Sequence, residues 1–159
     1  MEENRKGAKK YFAWRIMSEF VERLDGLMFE HGLNRKTLAR QAHINATCIS
    51  HYLLEKRLPT VDSLVKLADY FQCSTDFLLG KEEENLSLTF RQCPPFCERL
   101  AFLKEKSGGT AQDFYYSLRI SKTCYYAWLR GERKPTLDNI IRIANKLNCR
   151  VDFVLGRES

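Results

Sequence analysis

The sequence contains one unit twice. Shifting it by 76 positions aligns residues 20–82 with residues 96–158 without a gap, and 21 of the 63 aligned pairs are identical. Whole motifs recur: Arg-x-Pro-Thr begins at Arg57 and at Arg133, and Asp-Phe-x-Leu-Gly begins at Asp76 and at Asp152. One third identity in constant register indicates a duplication. Because a solenoid needs at least about three units to bury a continuous core, two copies predict two similar domains.

The repeats divide the chain into four parts. Residues 1–19 form a basic N-terminal extension, expected to be partly helical, and residues 20–80 form the first domain. Residues 81–95 form a linker, and residues 96–159 form the second domain. Three consecutive glutamates and a Pro-Pro pair in the linker are typical of a boundary. Its apolar residues Leu86, Leu88 and Phe90 offer an alternative, in which the segment docks on a domain.

Apolar residues in each repeat recur with a helical period. The stripe on the first helix consists of Phe12, Ile16, Phe20, Leu24, Leu27 and Met28. Four further helices are expected after the N-cap residues Asn34, Asn45, Thr60 and Ser74, ending near residues 42, 54, 71 and 80. The second repeat follows the same plan, except that Arg150 replaces the capping serine. No alternating strand pattern is present, so the predicted fold is all-α with about five helices per repeat.

The charge is distributed unevenly between the repeats. The chain has 26 Lys and Arg against 20 Asp and Glu, a net charge of +6. Residues 20–80 hold seven basic and seven acidic groups, whereas residues 96–159 hold twelve basic and seven acidic groups. A basic half-chain favours a polyanionic partner, of which nucleic acid is the commonest. A solvated surface that happens to be basic is the alternative that charge alone leaves open.

Several other classes of protein are not supported. No apolar run is long enough for a membrane span, and the charged N-terminus leads into no signal peptide, so a cytoplasmic protein with reduced thiols is expected. Cys93 and Cys97 have CxxxC spacing but no accompanying histidine cluster, so no metal or cofactor is predicted. The other four cysteines are expected to be buried free thiols: Cys48, Cys73, Cys124 and Cys149. No catalytic constellation is present, which argues against an enzyme.

The third helix of each repeat has a slim outer face. At about 100° per residue, its apolar residues share one arc, which must pack inward. The opposite arc holds Ala46, Thr47, Ser50 and His51 in the first repeat, and Lys122, Thr123, Tyr126 and Ala127 in the second. Since this arc lacks acidic residues, it can enter a DNA major groove without repelling phosphates. An ordinary surface helix is the alternative.

These motifs carry a family resemblance. In the first repeat they are Leu33-Asn34-x-x-x-Leu38-Ala39, Ile44-Asn45-x-Thr47-x-Ile49-Ser50 and Lys56-Arg57-x-Pro59-Thr60, and in the second repeat a similar run extends from Ile120 to Thr136. Together they closely resemble the lambda-repressor-like (Xre/Cro) helix-turn-helix family, and the two copies cover about 80% of the chain. The resemblance implies two tandem five-helix domains that bind double-stranded DNA, with helix 3 of each in the major groove.

The resemblance also implies site residues by position. Base edges are expected to meet Ala46, Thr47 and His51 in repeat 1, and Lys122, Thr123 and Ala127 in repeat 2. The outer arc of the helix adds Ser50 and Tyr126 to the expected base-reading residues. Phosphates are expected to meet Arg35, Lys36, Asn45, Lys56 and Arg57 in repeat 1, and Gln112, Ser121, Arg130, Arg133 and Lys134 in repeat 2.

Two positions depart from the family pattern. The turn between helices 2 and 3 often holds a glycine with positive φ, and here it holds His43 and Arg119. Tyr115 stands where the family prefers alanine, which Ala39 supplies in repeat 1. We expect the tyrosine to push helices 2 and 3 of repeat 2 apart or to swing outward.

The sequence therefore predicts a sequence-specific DNA-binding transcription regulator, more specifically a repressor. It is expected to act as a homodimer or as a pseudo-dimer within one chain, and no small-molecule effector is indicated. Its greater charge predicts that repeat 2 contributes more to DNA affinity. The alternative is a protein-interaction module, in which one repeat, more readily the neutral repeat 1, binds a partner protein instead.

Overall fold

The protein forms two helical units. A computed structural model describes residues 2–85 and 89–158, except for the side chains of residues 2–6 and 8–11. Unit 1, Met1–Leu88, contains α1 (Glu2–Glu30), α2 (Arg35–Gln41), α3 (Ala46–Leu53), α4 (Val61–Phe71) and α5 (Thr75–Leu78). Unit 2, Thr89–Ser159, contains α6 (Phe96–Ser107), α7 (Ala111–Ser117), α8 (Lys122–Leu129), α9 (Leu137–Leu147) and α10 (Val151–Leu155). The predicted all-α fold with five helices per repeat is confirmed.

The predicted N-caps begin the helices of unit 1. The Asn34 side chain accepts a hydrogen bond from the Thr37 amide at 2.9 Å, and the Asn45 side chain accepts one from the Thr47 amide at 2.8 Å. Thr60 and Ser74 cap α4 and α5 in the same way. Each cap satisfies an amide that the first helical turn leaves without a partner. In unit 2, Arg150 makes no side-chain cap bond at the start of α10, as the substitution of serine by arginine predicts.

The core of unit 1 begins near the start of the duplicated segment. From Ile16 onward the predicted stripe of α1 is buried, and Phe20 packs edge-on against Tyr52 of α3 with ring centroids 5.9 Å apart. Phe12 was expected in the same stripe but is 43% exposed. Phe12 lies on the first part of α1, which precedes the duplicated segment and has no equivalent in the second repeat.

The core of unit 2 includes a buried ion pair. Arg157 and Asp152 are both fully buried and bonded to each other, and the Arg157 guanidinium lies 4.4 Å from the ring centroid of Phe90. The Arg91 amide donates to the Arg157 carbonyl oxygen at 2.8 Å. The end of the predicted linker therefore packs as part of unit 2.

The beginning of the predicted linker is bonded to unit 1. Arg23 donates to the carbonyl oxygens of Glu82 and Glu83, and Ser74 donates to the Glu82 carboxylate at 2.8 Å. The docking considered for Phe90 is thus observed, whereas Leu86 and Leu88 lie outside the described residues.

The cysteines are free thiols, but they are less buried than predicted. Only Cys73, beneath α4 and α5, is fully buried, while Cys48, Cys124 and Cys149 are half-buried. The prediction was wrong for these three. Cys48 and Cys124 lie at the edge of the inward arc of their helices, where packing covers a side chain only partly.

Candidate nucleic-acid interface

In unit 1 the α2–turn–α3 arrangement is fixed by a left-handed residue. His43 has φ 54°, and the next amide, that of Ile44, donates to the Ala39 carbonyl oxygen at 2.9 Å. Lys66 of α4 donates to the His43 carbonyl oxygen at 3.1 Å. Histidine is a residue that tolerates positive φ, so the turn forms without glycine. Sequence reasoning missed Lys66, since nothing in its spacing connects it with the turn.

The start of α3 presents the predicted recognition face. Asn45, Ala46 and Thr47 are exposed, while Ser50 and His51 are half-buried. Because the Asn45 side-chain oxygen accepts the Thr47 amide, its NH₂ group remains available to donate outward. The structure thus brings the five predicted residues together on one small, hydrogen-bonding surface.

Four exposed cations border this face. Arg35 and Lys36 are the first two residues of α2, and Lys56 and Arg57 follow α3 in the next loop. The Arg57 guanidinium donates to the Cys48 sulfur at 2.8 Å, which holds it against α3. No acidic residue lies in the first turn of α2. Helix N-termini and exposed cations both favour phosphate groups.

Unit 2 reproduces the turn. Arg119 has φ 54°, the Ile120 amide donates to the Tyr115 carbonyl oxygen at 2.9 Å, and Ser121 caps α8 through the Cys124 amide at 3.1 Å. Arginine therefore occupies the left-handed position that the family often gives to glycine.

The recognition face of unit 2 differs from the prediction at one residue. Lys122, Thr123 and Tyr126 are exposed, but Ala127 is only 4% exposed, so its assignment as a base-reading residue was wrong. The Ala127 carbonyl oxygen accepts a hydrogen bond from the Glu132 amide at 2.9 Å, as the His51 carbonyl oxygen does from the Lys56 amide in unit 1.

Tyr115 stays inside unit 2. It is 7% exposed and packs against Tyr116 and Tyr125, with ring centroids 5.3 Å and 5.5 Å away. The expected outward swing was therefore wrong. The other expected consequence is observed: the backbones of α7 and α8 approach each other less extensively than those of α2 and α3, and α8 lies closely against α6.

Acidic residues accompany the predicted phosphate contacts of unit 2. Arg130 donates two hydrogen bonds to the Glu132 carboxylate, at 2.6 Å and 2.9 Å. The side-chain hydrogen bond from Arg130 lowers the pKa of Glu132, which therefore stays ionised at neutral pH. The carboxylate thus accepts hydrogen bonds from the guanidinium that was predicted to contact a phosphate.

The N-terminus of α7 also carries an acid. Asp113 and Thr110 form a reciprocal capping box, in which the Asp113 carboxylate accepts the Thr110 hydroxyl at 2.7 Å and the Thr110 amide at 2.9 Å. The hydrogen bond from the Thr110 hydroxyl, and to a smaller extent the one from the Thr110 amide, lowers the pKa of Asp113. Gln112, Ser121, Arg133 and Lys134 are exposed as predicted phosphate contacts require. Sequence reasoning missed both acids because net charge does not locate individual side chains.

Comparison with known proteins identifies the family. Residues 27–78 and residues 101–154 each match the family described as helix-turn-helix. The chain therefore belongs to the helix-turn-helix family, in its lambda-repressor-like branch, and contains the domain twice, which confirms the resemblance seen in the sequence.

A characterised relative covers part of the chain. The HTH-type transcriptional regulator ImmR of Bacillus subtilis (strain 168) is 38% identical over 52 residues. The match covers 33% of this chain and 41% of the relative, less than half of the length of either protein. No solved structure matches the chain. Among the described helices, none combines the length and apolar character that a membrane span requires.

Proposed function

We propose that this protein is a sequence-specific double-stranded DNA-binding transcription regulator that inserts α3 and α8 into the major groove. The observation that carries the proposal is the surface of unit 1, where the outer face of α3 has no acid and the flanking segments hold four exposed cations against one exposed acid, Glu55. Family membership and the regulator ImmR support the same function. Phosphate contacts from the cations would position the domain, and the helix face would read base edges.

Local charge favours unit 1 as the stronger binder. Unit 2 has the larger net charge, but Asp113 lies at the N-terminus of α7 and Glu132 is paired with Arg130. Unit 1 has Arg35 and Lys36 at the equivalent N-terminus. Because phosphate binding depends on charges within a Debye length of about 10 Å, residues at the groove matter more than the sum over a repeat. We therefore infer that unit 1 binds DNA more tightly than unit 2, which is the opposite of what net charge predicts.

Two units in one chain suit an operator with two half-sites. Domains of this kind bind half-sites about one helical turn apart, and the second binding event becomes intramolecular within a single chain. A homodimer would present four such domains. We propose a repressor acting in the cytoplasm, where its thiols remain reduced.

The test is binding to duplexes selected from a random-sequence DNA pool, followed by affinity measurements against salt concentration. We expect Lys36→Ala and Lys56→Ala each to reduce the slope of log affinity against log salt by about one. Arg15→Ala, which removes an exposed cation on α1 outside the interface, is the matched control and should leave the slope unchanged.

A different result would contradict the proposal. Failure to retain any duplex at about 50 mM salt excludes DNA binding, because the sequence-independent phosphate interaction is strong at low salt. Retention of a protein partner through the α3 face, without DNA binding, would instead support the alternative of a protein-interaction module. The neutral total charge of repeat 1 suggested that alternative, but its exposed cations surround α3 and suit DNA better.

A further inference from the structure

Unit 2 contains an unbroken run of four tyrosine rings. Tyr116, Tyr115, Tyr125 and Tyr126 follow one another with ring centroids 5.3 Å, 5.5 Å and 5.3 Å apart. The two inner rings are buried, whereas Tyr116 is 66% exposed and Tyr126 is 37% exposed. The run therefore connects a buried support, shared by α7 and α8, with two rings at the surface.

This arrangement belongs to unit 2 alone. The positions of Tyr115 and Tyr126 are occupied in unit 1 by Ala39 and Ser50. Tyr115 fills the space between α7 and α8 and contacts Tyr125, whose ring lies edge-on to Tyr126 at an interplanar angle of 87°. Such aromatic contacts restrict the rotation of a ring that is otherwise partly free.

Tyr126 lies on the recognition face of α8. It follows the exposed Lys122 by four residues and so lies one turn further along the same side of the helix. A held aromatic ring offers an apolar surface at a place where Ser50 offers only a hydroxyl. In the major groove the apolar feature of a base edge is the C5-methyl group of thymine.

We propose that Tyr126 determines the specificity of unit 2 by packing against a thymine methyl group, and that Tyr115 is its positioning residue. This inference rests on the proposed DNA-binding function. Unit 1 has Ser50 at the same position, so its binding does not require a thymine methyl group there. The two half-sites therefore differ in their dependence on a methyl group.

The test replaces thymines by uracil in a duplex selected from a random-sequence pool. Uracil lacks only the methyl group, so its hydrogen-bonding edge is unchanged. We expect the replacement of one particular thymine by uracil to reduce affinity about four-fold, which corresponds to the loss of one buried methyl group. Tyr126→Phe should retain this dependence because it keeps the ring, whereas Tyr126→Ser should abolish it. Tyr115→Phe should retain the dependence and Tyr115→Ala should reduce it.

Phe29→Ser is the control, since it removes an exposed aromatic ring from α1, outside the run of tyrosines, and should leave the uracil effect unchanged. Circular dichroism should show the same helical content in every variant. The proposal is overturned if no thymine is sensitive, or if the sensitivity is the same in Tyr126→Ser. Either result leaves the proposed function intact, whereas failure to select any sequence from the pool overturns both.

Discussion

At the scale of residues, the decisive pair is Arg130 and Glu132. Both side chains are 55% exposed, so their attraction is screened by water and adds little to folding stability. If the protein functions as proposed, the consequence of this pair lies in DNA binding, because Arg130 would exchange the Glu132 carboxylate for a phosphate. In unit 1 the residue aligned with Glu132 is Lys56, and the exposed acid of that loop, Glu55, precedes it.

Removing that carboxylate should strengthen binding to DNA. We expect Glu132→Gln to raise the slope of log affinity against log salt by up to about one, since Arg130 becomes available for one more phosphate contact. The measurement is fluorescence anisotropy with a labelled duplex over a range of salt. Glu105→Gln on α6 removes an equally negative exposed side chain and serves as the control. An increase of the same size in both variants would mean that only total charge matters.

At the scale of elements, the equivalent helices α2 and α7 are capped at their N-termini by different residues. Asn34 caps α2 and leaves its first turn to cations, whereas Thr110 and Asp113 close α7 with a capping box. The box stabilises the helix because a carboxylate near a helix N-terminus is favourable. The same carboxylate occupies the end of the helix that a phosphate would approach.

The capping box makes the stability of unit 2 depend on pH. Thr110→Val removes the hydroxyl, so the pKa of Asp113 should rise toward its ordinary value. The variant also loses the N-cap hydrogen bond from the Asp113 amide, which should lower the free energy of unfolding of unit 2 by about 1 kcal/mol. Because the pKa is lowered in the folded state, the contribution of Asp113 is present above its unfolded pKa and is lost as pH falls through the folded pKa. NMR titration of the Asp113 carboxyl carbon and urea unfolding measure the two effects. An unchanged titration in the variant would show that Thr110 does not cause the shift.

At the scale of the whole molecule, the segment between the repeats is divided between two units. Glu82 and Glu83 are bonded to unit 1, and Phe90 and Arg91 are bonded to unit 2. The described residues of this segment are therefore held by the unit on their own side. The effective length of the segment influences how closely two half-sites can be spaced.

Limited proteolysis should cut the chain within residues 81–95, between the repeats. We expect a protease specific for glutamate to cut first after the exposed Glu84 and to release two helical fragments. Cleavage by trypsin after Arg91 should be slower than this cleavage after Glu84, because the Arg91 amide donates a hydrogen bond to the Arg157 carbonyl oxygen. Mass spectrometry of early digests identifies the cut sites, and circular dichroism measures the fragments. First cleavage inside a repeat would show that the repeats are less stable than the segment between them.

Much of the fold could be read from local sequence because its signals act over a few residues. Asn45 and Thr60 satisfy amides two or three positions away, so the starts of α3 and α4 follow from residue type alone. The helical period of α4 likewise predicts its buried residues, such as Leu64 and Leu67. The duplication then extends each assignment to the other repeat.

The candidate site was predictable only in part, since exposure depends on neighbours distant in the chain. The helical wheel placed Ala127 on the outer face of α8, but packing buries it. Net charge favoured unit 2, but it did not show that Glu132 is paired with Arg130 or that Asp113 lies at the N-terminus of α7.

The sequence by itself determined the two domains, their helices and the family, because repetition, capping and hydrophobic period are recorded residue by residue. The tertiary structure decided whether Tyr115 would swing outward or remain buried, and how α7 and α8 pack in consequence. It also decided that Arg157 becomes a buried partner of Asp152 rather than a surface cation. Both outcomes depend on which side chains close packing brings together, and a pattern along one helix does not contain that information.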